Sequence, residues 1–98
     1  MWIRTQNKYI LANANSFRIR KDDIDDLVYY AINGNYDRYE QELGIYSTKE
    51  KALKVLDEIQ KFISDKQYCA IDNVTRKSYI LNKGVHVFEM PKDEDVEV

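Results

Sequence analysis

The 98-residue sequence predicts an α+β fold: an antiparallel sheet of about 4–6 strands with one amphipathic helix packed across one face. Three observations carry this. Helical periodicity is confined to one segment, Ser47 to about Lys66. Short, partly alternating segments broken by turn residues precede and follow it. A chain of this length buries one modest core, so helix and strands form a single domain over residues 1–91.

Met1–Gln6, Tyr9–Ala12 and Ser16–Arg20 are the first strand segments, separated by Asn7-Lys8 and Asn13-Ala14-Asn15. Asn favours turns because its side chain bonds nearby backbone and it tolerates left-handed geometry. Asp22-Asp23-Ile24-Asp25-Asp26 reads as a solvated turn, since it lacks the glycine, ligand spacing and closing glutamate of a calcium loop. Leu27–Asn33 and Tyr36–Tyr46 flank Gly34-Asn35, a predicted two-residue hairpin turn in which Gly would accept positive φ.

Ser47-Thr48-Lys49-Glu50 matches a capping box, with Ser47 or Thr48 as cap and Glu50 reaching back to the cap amide. Ala52, Leu53, Val55, Leu56, Ile59, Phe62 and Ile63 then share one half of the helical wheel, opposite Lys54, Asp57, Glu58, Lys61 and Asp65. Burying that face contributes on the order of 10 kcal/mol before entropy, at ~1.5–2 kcal/mol per larger side chain. Tyr68–Ile71, Ser78–Leu81 and Val85–Met90 are the later strand candidates, the last ended by Pro91. Residues 92–98 hold one lysine and four acids, offer nothing to bury, and read as an acidic flexible tail.

A sheet with one helix leaves its second face uncovered. Alternation along strands assigns Ile3, Phe17, Ile19, Leu43 and Ile45 to the helix side. Trp2, Arg4, Arg18, Arg20, Tyr29 and Tyr46 then fall on the open side, with Tyr36, Arg38 and Tyr39 on its rim. Stacking aromatics and multi-donor guanidinium groups suit a nucleobase, a phosphate or a protein hot spot. Tyrosines also favour strands for packing reasons alone, and arginines pair with nearby acids. The ligand- or partner-binding candidates are Trp2, Arg4, Arg18, Arg20, Tyr29, Tyr36, Arg38 and Tyr46. Self-association through a face or edge of the sheet is a further use of the same surface, and a homo-oligomer is expected.

Charge is segregated along the chain. Residues 1–21 carry five cations (Arg4, Lys8, Arg18, Arg20, Lys21) and no carboxylate, and Asp22, Asp23, Asp25 and Asp26 follow at once. Without residues 92–98 the chain holds fourteen cations against thirteen acids. That near-neutral balance, with no helix basic along one face, argues against sequence-specific nucleic-acid binding.

Little in the sequence suggests catalysis. His86 is the one histidine and is predicted to face solvent, with Val85 and Val87 inward. Cys69 is the one cysteine, in an apolar stretch suited to a buried thiol, so neither an intrachain disulfide nor a Cys/His zinc site can form. Gly34, Gly44 and Gly84 are isolated, which excludes a glycine-rich phosphate loop. The expectation is a non-enzymatic protein with no metal, no cofactor and no catalytic residue. With no apolar run near the roughly 20 residues of a membrane span, and no apolar stretch after Trp2-Ile3-Arg4, the expected setting is the cytoplasm, with no membrane partner.

Met1-Trp2-Ile3-Arg4, the segment from Leu43-Gly44-Ile45-Tyr46-Ser47-Thr48 through Ile59-Gln60, and Val87-Phe88-Glu89-Met90-Pro91 resemble a group of small proteins from phages and prophages of Gram-positive bacteria. The resemblance covers about a third of the chain and carries no catalytic residue across. It implies a phage accessory protein acting in the host bacterial cytoplasm. The role so implied is to oppose host defence by sequestering an anionic small molecule such as a nucleotide signal. The alternatives are direct binding to a host defence protein, or a structural or regulatory part that only oligomerises.

Overall fold

The computed structural model describes residues 1–66, 69–71, 78–80 and 86–98. Within them the protein is α+β with one α-helix, as the periodicity predicts. The strands divide between two three-stranded sheets and a separate hairpin, where the alternation suggested one sheet. In the first sheet, β1 (Trp2–Arg4) lies between β2 (Leu11–Asn13), antiparallel to it, and β8 (Val87–Glu89), parallel to it. A parallel neighbour needs a long crossover. Here the rest of the chain supplies it, a pairing that local pattern cannot show. The second sheet is an antiparallel meander of β3 (Ser16–Ile24), β4 (Leu27–Tyr36) and β5 (Tyr39–Tyr46). Helix α1 (Lys49–Lys66) follows, and β6 (Cys69–Ile71) pairs antiparallel with β7 (Ser78–Ile80). The expectation for the Cys69 thiol lies outside the described side chains, as do Tyr68, Leu81 and Val85.

The two larger sheets are stitched together. The Gln6 amide donates to the Leu43 carbonyl (2.8 Å) and the Asn15 amide to the Asn35 carbonyl (2.7 Å). The Gln6 side chain acts as a one-residue strand beside β5: its Nε2 donates to the Ile45 carbonyl and its Oε1 accepts from the Ile45 amide, both at 3.0 Å. Helix α1 packs over both sheets, joining Ile3, Ile32, Leu43, Tyr46 and Met90 to its own Ala52, Val55 and Ile59 in one core. Phe62 meets Phe88 edge to face, with ring centroids 5.4 Å apart.

Gly34-Asn35 is not a turn. Strand β4 runs through it, and the chain reverses at Asp37-Arg38, where Asp37 has φ 55°. Gly34 is required for closeness: a Cβ there would lie 2.8 Å from the Ala14 Cβ and 2.9 Å from the Leu43 Cδ1. The acidic run is also mostly strand. Asp22 and Asp23 pair with Tyr29 and Val28, and only Asp25 (φ 50°) and Asp26 (φ 64°) form the β3–β4 turn. A register shift between Ile32 and Asn33 places an extra residue in β5, so that Gly44 faces Ile32 while Glu42 faces Asn33. Such a bulge reverses alternation beyond it. Leu43 and Tyr46 are therefore both core residues, although alternation placed Tyr46 on the open side.

Two further expectations change for similar reasons. Phe88 points into the core and Val87 outward, the reverse of the predicted alternation, and His86 is half-buried. Leu53 lies on the rim of the apolar stripe and stays 43% exposed. The helix cap is Thr48, whose Oγ1 accepts from the Lys51 amide at 3.1 Å. In place of a reach-back by Glu50, Asp93 takes the Ser47 amide (2.8 Å) and hydroxyl (3.1 Å) on its Oδ1. Residues 92–98 thus have something to hold and something to bury. Lys51 Nζ donates to the Asp93 carbonyl at 2.9 Å, Lys54 Nζ to the Glu97 carbonyl, and Val96 is only 5% exposed within the core.

Candidate partner-binding surfaces

The residues expected to share one open face are distributed over three places and the core. Trp2 and Arg4 occupy the outer face of the first sheet. Register puts Trp2 between Asn13 and Val87, and Arg4 between Leu11 and Glu89. Trp2, Leu11 and Val87 are all exposed there, while Ala12, Ile3 and Phe88 form the inner row against the core. This follows from short strands with strict alternation. The result is an exposed apolar surface with one cation and one carboxylate beside it. Leu11 and Val87 were not among the sequence candidates, because their place beside Trp2 depends on strand pairing.

Arg18 and Arg20 lie on the face of the second sheet that the helix does not cover. There each is met by carboxylates. Arg18 donates through Nε to Glu40 Oε1 at 2.8 Å, with its Nη2 2.7 Å from the same oxygen. Asn33 Nδ2 also donates to that oxygen at 2.6 Å. Arg20 Nη2 is 2.9 Å from Asp22 Oδ2 and 3.6 Å from Glu42 Oε2. The Asn33 and Arg18 hydrogen bonds hold the Glu40 carboxyl below the usual carboxylate range. The bond and charge of Asp22 raise Arg20 further above its already high value. These arginines stand on β3 two residues apart, and neither lines the clefts described below.

Tyr29 is half-buried opposite Asp22, and Tyr36 and Arg38 stand exposed at the β4–β5 turn with Tyr39 as the cross-strand neighbour of Tyr36. Tyr46 is fully buried, its hydroxyl donating to the Pro91 carbonyl at 2.8 Å. Burial, with Glu58 and Asp93 nearby, raises its pKa strongly, so it stays neutral. At Asp93, burial pushes the carboxyl up, but the Ser47 amide and hydroxyl and Lys51 outweigh it, and the group sits below its ordinary value.

One concave feature escaped sequence reasoning. A cleft of about 480 Å³ between the second sheet and the start of α1 is lined by Ile19, Lys21, Tyr30, Lys49 and Leu53. It adjoins a second, of about 420 Å³, that shares Lys21, Tyr30 and Lys49 and adds Val28, Ser47, Thr48 and Glu50. Two lysines over an apolar and aromatic floor can hold an anion with a flat apolar part. The signal was present only as isolated residues far apart in the chain. Among the described residues, no cluster of metal-binding side chains occurs and no helix is long and apolar enough to cross a membrane.

No family model, curated protein or solved structure matches this chain. Its surfaces therefore have to be read from their own chemistry. The largest difference between them is that the first sheet offers uncovered aromatic and aliphatic area, while the second offers charges already paired.

Proposed function

We propose that this protein is a non-enzymatic binding protein that acts by covering a protein partner with the outer face of its first sheet. The observation that supports this is Trp2, Leu11 and Val87 lying exposed in adjacent register, with Arg4 and Glu89 beside them. Tryptophan and arginine are among the side chains that dominate protein hot spots. The resemblance to phage and prophage proteins supplies the setting: a phage accessory protein whose partner is a host defence protein in the bacterial cytoplasm. The test is affinity capture from host lysate with the parent protein and with Trp2→Ser. A stoichiometric protein band retained by the parent and lost with Trp2→Ser supports the reading. Equal capture by both, or none by either, counts against it.

The sequestering of an anionic small molecule such as a nucleotide signal is the second reading, and the Lys21–Tyr30–Lys49 cleft favours it. Calorimetric titration with mononucleotides and cyclic dinucleotides distinguishes the two, with Lys49→Glu as control. Heat that Lys49→Glu abolishes supports a small ligand; no heat from any nucleotide leaves the protein-partner reading standing alone.

A further inference from the structure

One row on the open face of the second sheet, with Arg18 at one end and Glu42 at the other, is charge-complementary to its own rotated copy. Register aligns Arg18, Asn33 and Glu42 across the three strands, Ser16, Asn35 and Glu40 on one side of that row, and Arg20, Ala31 and Ile45 on the other. The Arg18–Asn33–Glu42 row therefore has a cation at its β3 end and a carboxylate at its β5 end, while Arg20 on β3 has Asp22 of its own strand beside it at 2.9 Å. The side chains of Arg18, Arg20, Glu40 and Glu42 are 36–56% exposed on this face, over a buried floor of Ala31 and Asn33. Down its middle runs a row of buried polar atoms short of partners. Asn33 is 1% exposed, and its Oδ1 accepts nothing; the Asn35 Oδ1, also on β4, is likewise without a hydrogen bond. Beyond this polar centre, Ile24, Leu27 and Tyr29 extend the same face as an apolar end on the β3–β4 hairpin.

We propose that this face binds a second copy of the chain, around a two-fold axis running parallel to β4 in the plane between the two sheets. That rotation carries β3 of one copy over β5 of the other, so Arg18 faces the partner's Glu42 and Glu42 faces the partner's Arg18. A two-fold axis across the strands would instead place arginine over arginine and glutamate over glutamate. Charge thus selects one geometry and penalises the other. At the axis β4 meets itself. Leu27 and Tyr29 cover their symmetry mates at the apolar end.

The face is small. Three strands about 4.8 Å apart and roughly nine residues long give on the order of 400 Å² per copy, about half of what a standard stable interface buries on each side. The pairing is therefore weak and concentration-dependent, and it leaves the outer face of the first sheet free. It does not rest on the proposed partner binding, and either can fail without the other.

Sedimentation velocity from about 10 µM to about 1 mM protein tests it, with Arg18→Glu, Glu42→Arg and their equimolar mixture. The parent protein is expected to shift from monomer to dimer over this range. Each variant alone sets like charges against each other at both contacts and is expected to stay monomeric. In the mixture the two new charges face opposite charges, and a heterodimer is expected to return. A parent that stays monomeric at the highest concentration, variants that dimerise as well as the parent, or a mixture no better than its components each overturn the proposal. Backbone amide shifts of the parent on dilution provide a readout that needs no variant. They are expected to move on Arg18, Arg20, Asn33 and Glu42, and movement confined to the first sheet refutes this interface.

Discussion

Gly34→Ala probes the closest approach in the structure. A Cβ at this position meets the Ala14 Cβ at 2.8 Å and the Leu43 Cδ1 at 2.9 Å, both inside ordinary contact distance. Leu43 can rotate its methyl away, but the Ala14 Cβ moves only with its backbone, and that backbone is tied by the Ala14 amide to the Met1 carbonyl at 2.8 Å. Overpacking of this kind costs ~1–3 kcal/mol. Against it stands a gain of ~0.4–1 kcal/mol, because alanine has less freedom to lose on folding and Gly34 does not use positive φ. The net loss is about 1–2 kcal/mol, which lowers the melting temperature of a domain this size by roughly 5–15 °C. Urea and thermal unfolding followed by far-ultraviolet circular dichroism read it directly. Gly34→Asn separates the two possible roles of this glycine. Asn tolerates left-handed geometry better than alanine does, so in a turn it would be the milder change; against Ala14 its larger side chain is the harsher one. Asn equal to or more stable than Ala, or Ala as stable as the parent, refutes the close-approach argument.

Val96→Asp is expected to free residues 93–98 from the core while leaving the sheets folded, because a terminal segment detaches more cheaply than it buries a charge. The loss is bounded by what the segment contributes, about 1.5–2 kcal/mol for Val96 burial together with the Asp93 bonds to Ser47 and Lys51. Hydrogen exchange should rise at Ser47 and in residues 93–98 and stay unchanged in β3 and β4; global loss of protection would refute the bounded cost. Stability is also expected to depend on acid. Glu40 and Asp93 both have carboxyls held below their ordinary range, so the unfolded chain takes up protons first. Their contribution is complete above about pH 4.5, where the unfolded carboxylates are ionised, and is lost as pH falls through the lower folded values. The unfolding midpoint should be flat from about pH 7 to 5 and fall below about pH 4.5, with a shallower fall in Glu40→Gln with Asp93→Asn. An equal slope in that double variant would remove these two groups as the cause.

Local pattern is enough for the class of fold, the helix and most of the strands. The stripe from Ala52 to Ile63 has one period and no breaker, and it forms one helix whose apolar side is the core. Trp2, Ile3 and Arg4 alternate as expected because their strand is short and regular. Pairing is another matter. That β8 runs parallel to β1, that Gln6 replaces a strand beside Ile45, and that Asp93 takes the Ser47 amide ahead of the helix all join residues 39 to 85 positions apart, beyond the reach of any local period. The single residue inserted by the bulge at Leu43 moved Tyr46 from the open face into the core, and the same shift explains why an aromatic candidate proved to be structural. Gly34 shows the same limit: its composition suggested a turn, but only the neighbour across the fold, Ala14, accounts for the missing side chain. Which arginines stand beside which acids was likewise decided by register. That pairing set the cations of a basic stretch of sequence against Asp22 on their own strand and Glu40 and Glu42 on β5.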